Sequence, residues 1–197
     1  MSVWISELRS DVPTILVSEG TVHSREPLLL RAAAEGLGGL PVQVIMTTGT
    51  HRRPEDLGLH SLAPNIRVES FVSYSDLLPH TNLVVTTGGA GTVLAALSAG
   101  IPMLVVPTEW DKPENARRVL DSGAGLWLSP RHCTAKRVRS AVARLLSDQS
   151  FARNARRLAS IFSRSGGPEQ AAELLQDLAQ SRIGAPAHSV QSVNDGG

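Results

Sequence analysis

The glycines, hydroxyls and charged side chains best placed to meet a ligand cluster in the middle of the chain. Val84-Val85-Thr86-Thr87-Gly88-Gly89-Ala90-Gly91-Thr92 runs from a continuous apolar stretch into a glycine cluster and towards a helix. Such a run suits a phosphate. Glycines let the backbone approach a ligand closely, and the first N–H groups of a helix point at an anion with the helix dipole behind them. The Thr92 hydroxyl can add a further donor. The same residues also suit a tight strand-to-helix turn in which glycine serves only geometry, and a lone glycine loop does not decide between the two. A second polar loop, Pro107-Thr108-Glu109-Trp110-Asp111-Lys112, follows after one more apolar run. Asp111 can accept from hydroxyls and Lys112 can meet an anion or remain solvated. Trp110 can stack on a sugar ring or simply anchor its loop.

The other chemically capable side chains lack partners in sequence. His23, His51, His60, His80, His132 and His188 are isolated, and none stands in a recognisable motif with a carboxylate, so no catalytic residue is nominated. Cys133 precedes a helix, where a thiolate is favoured, but nothing beside it completes a nucleophilic site. Arg153, Arg156, Arg157 and Arg164 read as a solvated helical face with Asp148 and Glu169 nearby. No His, Cys or Asp cluster has metal-ligand spacing, so no metal is expected.

Composition narrows the partners. A formal net charge of +1 over 197 residues gives no global attraction for nucleic acid or anionic lipid, so an anion site must be built locally. No apolar run approaches the length of about eighteen residues that spans a bilayer, and the first residues lack a signal-peptide core. No membrane insertion is expected. With a single cysteine, a cytoplasmic setting is the expectation.

Around these loops, strand and helix patterns alternate along the chain. Strands are predicted at Thr14–Ser18, Val42–Met46, Ile66–Glu69, Leu83–Thr86 and Met103–Val106, with a weaker one at Gly125–Leu128. Helices are predicted at Glu26–Leu37, Thr92–Ala99, Pro113–Ser122, Thr134–Ser147, Phe151–Ser163 and Pro168–Ser181. Continuous Val, Ile and Leu at 83–86 and 103–106 mark strands buried on both faces, as in a parallel sheet covered by helices. Pro113 and Pro168 suit first turns, while Gly100 and Gly123 suit left-handed helix ends. The expectation is an α/β fold: a single Rossmann-like domain over 13–182, after a linker-like segment 1–12 and before a disordered tail 183–197. In such a sheet ligands bind outside the carboxyl ends of the strands, where both polar loops would lie.

The run from Gly88 to Gly125 resembles the C-terminal half of the donor-binding signature of the UDP-glycosyltransferase superfamily, especially its bacterial macrolide-type branch. Similarity continues upstream through Phe71–Pro79 and Val17–Val22 and covers about Trp4 to Leu178. The resemblance implies the C-terminal half of a GT-B fold that binds a UDP- or dTDP-linked sugar for transfer to an acceptor hydroxyl. It implies diphosphate contacts from Thr87, Gly88, Gly89, Gly91, Thr92, Gly20 and Thr21, and sugar contacts from Trp110, Asp111 and Lys112. Val72 and Ser73 stand where that family meets the nucleotide base. The nucleotide sugar is then a substrate, with no cofactor.

Departures from the family pattern matter as well. Thr87 replaces the usual histidine, Ala95 a frequent glutamate, Lys112 a glutamine and Ser73 a proline. The acceptor pocket and catalytic base of GT-B enzymes belong to an N-terminal domain, so turnover is expected to require such a domain or subunit, and the chain alone to be inactive. The alternative is a non-catalytic auxiliary or remnant module that pairs with another protein.

Overall fold

The computed structural model describes residues 3–20, 27–49, 53–57 and 62–183. Six parallel strands form one sheet in the order β3-β2-β1-β4-β5-β6. They are β1 (Thr14–Ser18), β2 (Gln43–Thr47), β3 (Ile66–Glu69), β4 (Leu83–Thr86), β5 (Met103–Val105) and β6 (Gly125–Trp127). The α/β class and parallel sheet follow from the alternation and from strands that are buried on both faces. β1 and β4 are buried along their whole length, as their continuous apolar runs demand.

The strand order reverses between β1 and β4, which pair in register Ile15↔Leu83 to Ser18↔Thr86. A reversal of this kind opens a crevice at the carboxyl edge of the sheet, because the helices that follow the two strands pack on opposite faces. On one face Ile15, Val17, Val44, Met46, Leu83, Val85 and Leu104 pack with α1 (Leu28–Leu37) and α5 (Ala135–Ser147). By the two-residue pleat Leu16, Ile45, Val84 and Met103, all buried, point the other way. There α3 (Ala90–Ser98) and α4 (Lys112–Asp121) cover β4, β5 and β6.

Boundaries differ from expectation by one or two residues, for local reasons. β2 starts at Gln43 because the Val42 amide donates to Leu40 O at 2.8 Å, and the pairing runs on through Thr48 N to Glu69 O at 3.0 Å. Thr134 caps α5, its side chain accepting from Arg137 N. α6 (Gln149–Phe162) begins early because Asp148 Oδ1 accepts from Ser150 N at 2.9 Å. α1 starts at Leu28; Glu26, where it was expected to begin, lies outside the described residues, as do His23, His51, His60 and His188. Gly100 takes φ of +71° and closes α3 with paired bonds, Gly100 N to Leu97 O at 3.0 Å and Ile101 N to Ala96 O at 2.9 Å. A four-residue helix, α2 (Tyr74–Leu77), was not expected.

The segment read as a linker docks on the sheet edge. Ile5 in a 3-10 turn over Val3–Glu7 is buried, and the Arg67 guanidinium of β3 lies 4.5 Å above the Trp4 ring. The chain divides into two compact units, Met1–Ile161 and Phe162–Gly197. The second contains α7 (Gly167–Ile183), on which Leu174, Leu175 and Leu178 are exposed. Among the described residues no helix is long and apolar enough to cross a membrane.

Candidate functional site

A cavity of about 620 Å³ lies at the carboxyl edge of the sheet. Its walls come from the ends of five strands: Ser18 to Gly20 after β1, Thr47 and Gly49 at β2, Ser70 to Tyr74 after β3, Gly89 to Thr92 after β4, and Trp110 to Lys112 after β5. That convergence follows from the parallel topology, which delivers every βα loop to the same edge. Its size is in the range of small-molecule sites.

The floor is a helix N-terminus. Gly89 is the N-cap of α3 and no side chain caps the first turn, so the amides of Ala90, Gly91 and Thr92 have no intrahelical acceptor. A β-carbon on Gly89 or Gly91 would meet nothing within 4 Å. Glycine within a helix is destabilising relative to alanine, by roughly 0.5–1 kcal/mol at mid-helix, and no neighbouring protein atom explains its presence at Gly91. Both glycines therefore leave open space beside the unused donors of the first turn. Gly88 is different. Its φ is +89°, and a β-carbon would lie 2.7 Å from Val105 Cγ1, so that position serves the turn itself.

The opposite wall is the turn into α4. Asp111 is its N-cap, yet its carboxylate caps no amide; Oδ2 instead accepts from Asn115 Nδ2 at 2.8 Å. The same Asn115 amide donates to Gly88 O at 3.0 Å, so one side chain fixes both the acidic residue and the glycine loop. Trp110, 70% exposed, sits at φ of +59°. A bulky residue in that region stores about 1–3 kcal/mol of strain. Lys112 is buried, its Nζ donating to Thr108 Oγ1 at 3.0 Å and lying 5.7 Å from the Trp110 ring centroid.

Nine of the residues expected to touch a donor line this one cavity: Gly20, Val72, Ser73, Gly89, Gly91, Thr92, Trp110, Asp111 and Lys112. Thr21 lies outside the described residues. Thr87 and Gly88 are not among the lining residues. The Thr87 hydroxyl is buried and donates to Glu19 O at 3.0 Å, which ties the β4 loop to the β1 loop and turns the group away from a ligand. Ala95 lines a different groove.

Three contributors were missed. Tyr74 Oη lies 3.0 Å from Thr92 Oγ1 and 3.4 Å from Ser18 Oγ, tying three loops together. Asn115 stands four residues after Asp111 on a helix, and that spacing was a usable signal. Glu19 is buried, and its Oε1 accepts from Leu29 N at 3.1 Å, capping α1 from the end of β1. No pattern in sequence marks it.

Cys133 needs correcting. It was read as a position favouring thiolate, but burial pushes its thiol up to about 11, with the Glu19 charge acting in the same direction. Desolvation outweighs the nearby helix start, and the side chain behaves as a small core residue. Among the described residues no group of three His, Cys, Asp or Glu side chains could hold a metal ion.

Comparison with known proteins adds to this geometry. The family model described as erythromycin biosynthesis protein CIII-like, C-terminal domain, matches residues 32–178. Demethyllactenocin mycarosyltransferase of Streptomyces fradiae is 32% identical over 166 residues, 84% of this chain and 36% of the relative. For 4'-demethylrebeccamycin synthase of Lentzea aerocolonigenes the figures are 35% over 175 residues, 89% and 40%. Among solved structures, the calicheamicin glycosyltransferase CalG4 matches with a TM-score of 0.80 at 31% identity, covering 90% of this chain and 46% of that one. Spinosyn rhamnosyltransferase SpnG complexed with thymidine diphosphate matches with a TM-score of 0.69 at 27% identity, covering 80% and 43%. The chain thus spans less than half the length of each of these proteins.

Proposed function

The chain belongs to the erythromycin biosynthesis protein CIII-like C-terminal domain family, and from that premise we propose that it binds the sugar donor of a GT-B glycosyltransferase reaction. The ligand in this reading is a UDP- or dTDP-linked sugar. The observation that carries it is the α3 N-terminus, with open space at Gly89 and Gly91 beside uncapped amides, at the switch point of the sheet. The thymidine diphosphate bound to the related SpnG supports a diphosphate here and a dTDP-linked donor in particular.

The division of labour follows from which groups are free. The first-turn amides and the Thr92 hydroxyl donate to the diphosphate, and Gly20 approaches it from the β1 side. As the bond between the sugar carbon and the terminal phosphate oxygen breaks, negative charge grows on that oxygen. Preorganised N–H donors stabilise it with little reorganisation. These donors need no metal ion. Asp111, fixed by Asn115, accepts hydroxyls of the sugar, and Trp110 covers its face. Phe71, Val72 and Ser73 form the wall that meets the base. Deprotonation of the acceptor hydroxyl and the acceptor pocket fall to an N-terminal domain or subunit. The setting is the cytoplasm, which suits a lone buried cysteine.

Calorimetric titration of the chain with dTDP, UDP and their glucose conjugates tests the proposal. Micromolar to millimolar binding by a diphosphate is expected, and no binding by the folded chain would overturn it. A second reading, a non-catalytic module that pairs with another protein, draws on the Thr87 hydroxyl being committed to Glu19 O. It predicts no transfer when an N-terminal half from a relative is added. Observed transfer would exclude it.

A further inference from the structure

Lys112 stands in an environment that works against a free cation. It is 7% exposed and is the first residue of α4, where the positive end of the helix dipole faces it. The ammonium has one hydroxyl partner, Thr108 Oγ1 at 3.0 Å, and the Trp110 ring at 5.7 Å, but no ion pair with any carboxylate of the described residues. A buried charge with neither counter-ion nor full hydrogen bonding destabilises the free protein.

The two carboxylates that line the same cavity face other groups. Glu19 Oε1 accepts from Leu29 N at 3.1 Å, and Asp111 Oδ2 accepts from Asn115 Nδ2 at 2.8 Å. The cavity therefore gathers two helix N-termini, α3 and α4, and one buried ammonium against its wall. A β-carbon built on Gly88 would sit 3.7 Å from Lys112 Cβ, so the lysine stem packs directly against the glycine loop.

We propose that Lys112 is the counter-charge for an anionic oxygen group of the bound donor, either the terminal phosphate of the diphosphate or a carboxylate on the sugar attached to it. The proposal rests on the donor-binding reading and gives it a charge requirement. The bound anion supplies the counter-charge that no carboxylate of the described residues gives Lys112, at the wall where Lys112 and Trp110 line the cavity side by side.

The test is calorimetry on the full 197-residue chain with UDP, UDP-glucose and UDP-glucuronate, and with dTDP and dTDP-glucose. Wild type is compared with Lys112→Met, which keeps the stem without the charge, and Lys112→Arg, which keeps the charge. Thermal melts without ligand confirm that each variant is folded. Lys112→Met is expected to weaken the anion it serves by about 10- to 100-fold, the worth of a charge-assisted hydrogen bond. Lys112→Arg stays within a few-fold. If the partner is the terminal phosphate, UDP and both UDP-sugars lose equally. If it is a sugar carboxylate, wild type prefers UDP-glucuronate to UDP-glucose, and Lys112→Met erases that preference while leaving UDP unchanged. Unchanged binding by Lys112→Met, or an equal loss in Lys112→Arg, overturns the proposal while wild-type binding upholds the donor reading. Wild type that is folded but binds no diphosphate overturns both.

Discussion

The two ends of the parallel sheet carry cavities of unequal size and opposite character. At the amino edge, Pro13, Asn82, Pro102, Gly100 and Arg156 line a groove of about 930 Å³, larger than the 620 Å³ cavity at the carboxyl edge. Helix polarity separates the two. At the amino edge α3 ends with the Ala96 and Leu97 carbonyls already accepting from Ile101 N and Gly100 N. At the carboxyl edge the same helix begins with no capping side chain. One end of α3 is finished by the protein, while the other offers donors that a ligand can complete. Volume alone would select the end whose helix terminus is already completed.

That contrast predicts opposite responses to glycine substitution. Gly100→Ala should have the largest effect, a stability loss of about 2 kcal/mol. A left-handed conformation costs a non-glycine residue roughly 1–2 kcal/mol, and the new β-carbon would lie 3.1 Å from Arg156 Cγ and 3.3 Å from Arg156 Cα. Urea titration should show the lower midpoint, with affinity of the remaining folded protein for dTDP or UDP unchanged. A drop in that affinity would mean the two ends are coupled, and the comparison fails. Gly91→Ala should do the reverse. Helix propensity raises stability by about 0.5–1 kcal/mol, while a methyl group in the open space beside the α3 amides weakens diphosphate binding about tenfold, or about 1.4 kcal/mol. Stability and affinity that fall together would show Gly91 to be a structural glycine like Gly100.

A smaller effect is expected at Asn115. Its amide holds both Gly88 O and Asp111 Oδ2, so Asn115→Ala should release the Asp111 carboxylate, proposed to meet the sugar, while leaving the α3 amides in place. Affinity for a nucleotide sugar should fall about fivefold, close to 1 kcal/mol for one hydrogen bond, and affinity for the bare diphosphate less. Equal losses for both ligands would place the role of Asn115 in the glycine loop instead.

The fold was legible where a single signal dominated. β1 and β4 begin and end as predicted because both are buried along their whole length; β3, the half-buried edge strand, matches too through its alternation of Ile66 and Val68 with Arg67 and Glu69. Helix ends shifted by one or two residues because caps such as Asp148 act through hydrogen bonds that a hydrophobic pattern does not register. The four-residue helix at Tyr74 is too short to show a period of 3.6. Within the candidate site, glycines announced the loop that opens α3, but side-chain direction was hidden. Thr87 reads as a donor in sequence, and only the packing of the β1 and β4 loops turns it onto Glu19 O. Trp110 is a residue that local propensity steers away from positive φ, so its conformation had to come from the loop around it.

The smallest predicted effect bears on the wall between the two cavities, because Tyr74 lines both. A phenol has one proton, and its oxygen lies 3.0 Å from Thr92 Oγ1 and 3.4 Å from Ser18 Oγ. If Tyr74 donates to Thr92, the Thr92 proton is left to point at a phosphate. If it donates to Ser18, Thr92 must spend its own proton on the tyrosine. In this structure Tyr74 Oη donates to Ser18 Oγ, and the expectation is that a bound anion favours the first arrangement, with Tyr74 positioning the Thr92 donor. Tyr74→Phe should cost about 1 kcal/mol of stability and only two- to threefold in diphosphate affinity. In the Tyr74→Phe background, Thr92→Val should cost less affinity than it does in wild type, because the two hydroxyls act as one unit. Additive losses in that double-mutant cycle would show that Tyr74 is a wall and nothing more, and that the carboxyl-edge cavity binds phosphate through the α3 terminus unaided.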